Sequence, residues 1–238
     1  MSTSLPPPNP SLALVGQLAL GEVRVELADA ATALGLVVAR GLASHPSDEV
    51  QRAELAERLA AARARAPEDT PTALAREHLR FGRYKPTGRG KPASEYLLQA
   101  AREERFPYIS NLVDACNAAS LASLLPISLV DLRRAGTAHF RVRRGRADER
   151  YVFNSAGQVI DLEDLLLLAR LPADEPIANP VKDSMATKLD TEATAALAVV
   201  YAPAHAPALA ARTAEDLAGL LASFGGALSV VHGVLTPG

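Results

Sequence analysis

Two groups of residues in this chain have types and spacings that suit chemistry. The first is a line of amides and acid, Asn111, Asp114 and Asn117, spaced three residues apart. On a helix such residues are surface neighbours. Asn and Asp are mediocre helix-interior residues, so three in line suggest a polar wall of a cleft, the plainer alternative being an exposed stripe. The second is a basic run, Arg76 to Lys91, that carries Arg76, Arg80, Arg83, Lys85, Arg89 and Lys91 against one acid, Glu77. Gly82, Gly88 and Gly90 loosen this segment, and Pro86 and Pro92 stiffen it. A cationic Gly/Pro loop feeding helices suits a polyanion, of which a phosphodiester backbone is the commonest large example; the alternative is a solvated loop.

Other patterns fail on inspection. Gly88-Arg-Gly90-Lys-Pro-Ala93 fits a permissive dinucleotide pattern, but no apolar strand precedes it and Pro92 interrupts the turn. Lys91 is followed by Pro92, which excludes a phosphate-binding Walker loop. The five histidines are scattered and Cys116 is the sole cysteine, so neither a metal site nor an internal disulfide is expected. Asp161, Glu163 and Asp164 form an acidic knot that marks a strand boundary. A second basic cluster, Arg133 to Arg150, is diluted by Asp148 and Glu149.

These groups need elements to position them. The 238 residues are 48% hydrophobic, enough for a sizeable core, with net charge −2. A nucleic-acid surface must therefore be a local patch. Five Phe, five Tyr and no Trp argue against a broad base-stacking platform. Residues 1–10 are a Pro-rich tail without a signal-peptide pattern, and no membrane span is expected, so a soluble cytoplasmic protein is the default. Alternation and apolar runs predict strands over 12–20, 23–27, 35–42, 127–132, 138–142, 151–153, 165–171, 195–201 and 228–235. Helices are expected from Asp48 to Ala62, from a Thr70–Pro71 start to Arg80, over 93–105 with Tyr96, Leu97 and Ala100 facing in, over 109–124, and over 213–224. Between them lies a polar loop, 178–191. The reading is one α+β domain over 11–238.

One stretch resembles a known family. Lys91-Pro92-Ala93-Ser94-Glu95, then Phe106-Pro107-x-Ile109-x-Asn111-x-Val113-Asp114-x-x-Asn117, then Leu125-Pro126-Ile127 and Asp131-Leu132, is similar to the B3/B4 domain of the phenylalanyl-tRNA synthetase beta subunit and to stand-alone proteins built from it. The match is collinear over about 80–135 and continues weakly to about 200. The resemblance implies β-sheets packed as an unusual sandwich with flanking helices, and an editing site that hydrolyses a mischarged aminoacyl-tRNA. It puts Asn117 at a pocket asparagine, Ser128 where the bacterial pocket has a histidine, and Asn179 and Lys182 in place of glycines of the pocket loop. An ester needs a positioned water, a proton acceptor and oxyanion donors. Asp114 and Asp183 are then the candidate acceptors. Asn117, Ser128 and Lys182 are the candidate donors, and Asn111, Ala178 and Asn179 line the substrate. Arg83, Lys85, Arg89 and Lys91 would hold the tRNA acceptor end, and no cofactor is implied. The alternative on the same fold is a module that binds RNA or a small molecule without catalysis.

Overall fold

The structure is a computed structural model that describes residues 13–65 and 72–238. The strands, in chain order, are β1 (Gly16–Leu20), β2 (Val23–Leu27) and β3 (Thr32–Arg40). Three helices follow, α1 (Glu49–Ala64), α2 (Thr72–Leu79) and α3 (Ala93–Arg102), with a single 3-10 turn over Gly88–Gly90 between the last two. Then come α4 (Asn111–Ser123), β4 (Ile127–Asp131), the short α5 (Leu132–Ala135), β5 (His139–Arg144), β6 (Arg150–Val152) and β7 (Val159–Asp161). The chain ends with β8 (Leu166–Arg170), β9 (Glu175–Ala178), β10 (Ala195–Pro203), α6 (Pro207–Gly225) and β11 (Ser229–Leu235). The class is α+β, as expected. The Thr70–Pro71 helix start lies outside the described residues.

A five-stranded sheet, β1-β2-β5-β8-β9, faces a four-stranded sheet, β11-β3-β10-β4; β6 and β7 form a separate hairpin. Both faces of β3 and β10 are buried, which explains their unbroken apolar runs. One face points Leu34, Leu36, Leu197, Val199 and Tyr201 at Val25, Phe140, Val142, Leu166 and Leu168 of the other sheet. The opposite face points Val37, Ala39, Ala196, Ala198 and Val200 at α4 and α6. The layers are thus sheet, sheet and helices. Gly35 lets α6 approach β3, because a Cβ there would lie 2.5 Å from the Ala210 carbonyl oxygen.

Two expectations are corrected, and two strands are added. Strands β7 and β9 were not legible, being short and mixed in polarity. Helix α3 fully buries Ser94, Leu98 and Ala101; Leu98 and Ala101 pack on Leu59, Leu121 and Leu124, and Leu97 packs half-buried against the same cluster as expected, while Tyr96 stays on the rim. Ile109 precedes α4 and is exposed, because Ser110 is the N-cap and its hydroxyl accepts from Val113 N–H.

A buried polar knot joins the sheets to the start of the basic loop. Asp29 accepts from Thr32 Oγ1 at 2.8 Å and from Arg144 Nε at 2.5 Å. The Arg144 guanidinium also lies 4.7 Å from the Phe81 ring centroid. Thr32 Oγ1, having given its proton to Asp29, accepts from His78 Nε2 at 2.9 Å, which leaves the buried His78 Nδ1 with no partner. Burial, helped by the charge of Arg144, pushes the His78 pKa down to about 4. The unfolded imidazole takes a proton near pH 6.5, whereas the folded one refuses it until about 4, so acid favours the unfolded chain across that window. Urea unfolding between pH 7 and 4 should show the wild type losing about 3 kcal/mol more than His78→Gln. The comparison with the variant cancels Asp183, whose carboxyl is pushed up to about 6 and shifts stability in the opposite direction.

Candidate functional site

The loop after β9 is built on Asn179. Its side-chain Oδ1 accepts from Val181 N–H and Lys182 N–H, both at 2.8 Å, and its Nδ2 donates to the Tyr151 hydroxyl at 2.5 Å. Tyr151 in turn donates to the Lys182 carbonyl at 2.7 Å. The next acid, Asp183, fastens the loop to β4. Ser128 Oγ donates to Asp183 Oδ1 at 2.7 Å, Asn179 N–H to the same oxygen at 3.2 Å, and Leu129 N–H to Oδ2 at 3.2 Å. Tyr201 donates to Ser128 Oγ at 3.1 Å. Ala178 ends β9 and is buried.

The residue Asp183 keeps partial exposure, but its carboxylate is enclosed. Burial raises its pKa to about 6 against the lowering effect of its three donors. Its charge is felt by its neighbours: Cys116, Tyr151 and Tyr201 are pushed up by burial and then by Asp183. Helix α4 shares a buried cluster with β4 through Cys116, Ile127 and Leu129.

The polar line of α4 does not join the cluster. Asn111 is fully buried; its Nδ2 donates to the Ala43 and Phe224 carbonyls at 2.8 and 2.7 Å, and its Oδ1 accepts from His45 N–H. Asp114 accepts from Ser47 Oγ at 2.7 Å and from Ile109 N–H at 2.8 Å. Both residues tie the 43–47 segment to α4, and neither Asp114, the expected proton acceptor, nor Asn111, the expected substrate lining, borders the cleft described next. Asn117 is half-buried and makes no side-chain hydrogen bond among the described residues.

On the outer side of the 178–184 loop is an open cleft of about 880 Å³. The basic loop supplies Tyr84, Arg89 and Gly90, α3 supplies Tyr96, and the β6–β7 hairpin supplies Phe153 and Gln158 to Asp161. Lys182 closes the ring. Its ammonium sits 4.1 Å from the Phe153 centroid, and desolvation and then Arg89 lower its pKa. Tyr84 and Tyr96 donate to the carbonyls of Gly90 and Gly88, which pins the 3-10 turn that presents Arg89. The loop's base is fixed by the acidic knot: Asp164 accepts from Arg83 N–H and Glu163 from the Arg83 guanidinium, both at 2.8 Å. Gly82 has φ +47°, and a Cβ there would collide with the Asp164 carboxylate.

Adjacent residues of one loop thus do different things: Asp183 anchors, Lys182 faces the cleft. The expected grouping of Ser128, Asn179 and Asp183 is present in space, but none of the three lines the cleft. The aromatic and hairpin residues of the cleft were missed. Their one sequence signal was that Tyr84, Tyr96 and Phe153 account for three of only ten Phe and Tyr residues.

The two basic clusters differ in pairing, although the exposed Arg150 of the second makes no ion pair among the described residues. Arg141 pairs with Glu26, Arg143 with Glu149 and Asp174, Arg144 with Asp29, and Arg146 with Asp174. Arg133 and Arg134 pair with Asp190. By contrast Lys85, Arg89, Lys91 and Lys182 make no ion pair among the described residues, whereas Arg83 is engaged by Glu163 and Arg76 by Glu95. Among the described residues there is no cluster able to hold a metal ion and no helix long and apolar enough to cross a membrane. No family model and no curated protein matches the chain.

Ser128 is completely buried, accepting from Tyr201 and donating to Asp183, with the Asn179 carbonyl at 3.3 Å, so its removal strands the Tyr201 hydroxyl and takes away one of the three donors of Asp183. Ser128→Ala should destabilise the protein by about 1–3 kcal/mol in chemical denaturation, and Tyr201→Phe by less, since it leaves the Ser128–Asp183 bond intact.

Proposed function

We propose that this chain is a B3/B4-like module that binds the acceptor end of tRNA, with phosphates held along Lys85, Arg89 and Lys91 and the strand's end directed to the cleft beside Lys182. The observation that carries this reading is the convergence of two distant segments, 81–92 and 178–184, on one cleft whose cations are not neutralised by the protein itself. Unpaired cations are free to replace counterions on a phosphate chain, whereas the 141–146 arginines are consumed by internal carboxylates. Arg83, with its side chain on Glu163, contributes less than its neighbours.

A second reading, hydrolysis of a mischarged aminoacyl ester, is favoured by Lys182. Its ammonium reaches the cleft, where it suits an oxyanion formed as water adds to the ester carbonyl and the bond to the ribose oxygen breaks. Binding is preferred because the expected base, the Asp183 carboxylate, lies outside the cleft lining and is occupied by Ser128, Leu129 and Asn179. Incubation with a panel of correctly and incorrectly charged tRNAs separates the two readings. Turnover of a mischarged species above the spontaneous rate, lost in Lys182→Ala with tRNA binding retained, establishes hydrolysis.

Replacing Lys85, Arg89 and Lys91 together with Ala should weaken tRNA binding and reduce the slope of log K against log salt by about 2, each phosphate contact contributing roughly 0.7–0.9. Filter binding over a salt series measures this. An unchanged slope would reject the strip as the interface.

A further inference from the structure

We infer that the cleft is a small-molecule site in its own right, shaped for a nucleoside 5′-monophosphate, with the phosphate between Arg89 and Lys182 and the base against the aromatic lining. This goes beyond the RNA reading and needs only the cleft. Four observations on different residues support it. The volume, about 880 Å³, lies within the ordinary range for ligand clefts and exceeds what a lone inorganic anion fills. Arg89 and Lys182 present two cations with no carboxylate paired to either among the described residues. They are close enough for Arg89 to disfavour the charged form of Lys182, a repulsion that a bound dianion relieves. Tyr84, Tyr96 and Phe153 supply ring surface, and the two tyrosine hydroxyls are spent on backbone carbonyls, which fixes those rings before any ligand arrives.

The fourth observation concerns the hairpin. Gln158 Oε1 accepts from Asn154 Nδ2 at 2.8 Å, so its own Nε2 is left to donate. Asp161 Oδ1 accepts from Glu163 N–H at 3.0 Å, which leaves Oδ2 to accept. The hairpin thus brings a free donor, Gln158, to the cleft and a free acceptor, Asp161, to its edge, where Asp161 also borders a second pocket with Arg83 and Glu163. A base edge offers that complement, and a simple aromatic acid does not. Cations at one side, fixed rings, and a mixed donor–acceptor wall together describe a nucleotide better than a free phosphate, which would leave the rings and the hairpin unused. Lys182 rests over Phe153 and is positioned to move from ring to phosphate.

Isothermal titration of the full chain with AMP, GMP, CMP, adenosine and inorganic phosphate tests this. At least one of the three nucleotides should bind with Kd below about 1 mM. Adenosine and phosphate should each bind at least about tenfold more weakly than that nucleotide, a difference of about 1.4 kcal/mol. Arg89→Ala and Lys182→Ala should each weaken nucleotide binding about tenfold, while the exposed Arg212→Ala on α6 should not. Arg89 makes no side-chain hydrogen bond or ion pair among the described residues, so its variant should fold normally, as circular dichroism can verify. Absence of saturable nucleotide binding, phosphate binding as well as any nucleotide, or an unchanged Arg89→Ala affinity would each overturn the inference. If tRNA binds while no nucleotide does, this inference fails and the RNA reading stands. If a nucleotide binds while tRNA does not, the reverse holds.

Discussion

The candidate site depends on one enclosed carboxylate. Asp183 gathers a serine hydroxyl and two backbone N–H groups from β4 and from its own loop, and so sets the position of everything from Ala178 to Ser184. Enclosure makes this carboxylate costly to ionise, and the three donors offset part of that cost. The result is a loop whose inner side is fixed and whose preceding residue, Lys182, is carried out into the cleft. Tyr151 reinforces the arrangement from the hairpin side by bonding both Asn179 and the Lys182 carbonyl. Rigid support of this kind is what a binding group needs if it is to meet a ligand without prior ordering.

Charge pairing then divides the basic residues by role. Arg143 and Arg144 are buried in the fold, and each has at least one carboxylate within hydrogen-bond distance. Removing a partner from such a pair leaves an uncompensated charge, so these arginines serve the packing of β5 against its surroundings. The cations of the 85–91 segment and Lys182 have no such partners among the described residues. A formal net charge of −2 thus coexists with a local positive strip, because the acids that balance the total sit elsewhere on internal arginines.

Much of the fold was legible, since long apolar runs and clear caps announce themselves. Strands β3 and β10 read as continuous apolar segments because both faces are covered, and α6 ends one residue past the expected Phe224, with Gly226 as its left-handed cap. The short strands β7 and β9 carry no period to detect. At the site, the basic loop and the 178–184 loop were recognisable by composition, but their meeting was not. The polar line Asn111/Asp114/Asn117 was misleading for a physical reason. Asn111 and Asp114 face a neighbouring backbone segment whose groups they satisfy, and a buried structural polar residue looks the same in sequence as a functional one. The paired and unpaired arginine clusters were also indistinguishable by spacing, because their partners, Glu26, Asp29 and Asp174, are far away in the chain.

The central claim is that unpaired cations at the cleft, not the paired arginines of β5, form the anion-binding surface. Hydrogen-exchange mass spectrometry of the chain with and without an acceptor-stem RNA hairpin ending in a free 3′ strand measures this directly. The account predicts new protection confined to 84–91, 153–161 and 178–184. Protection concentrated over 141–150, or none at RNA concentrations that saturate binding, would contradict it.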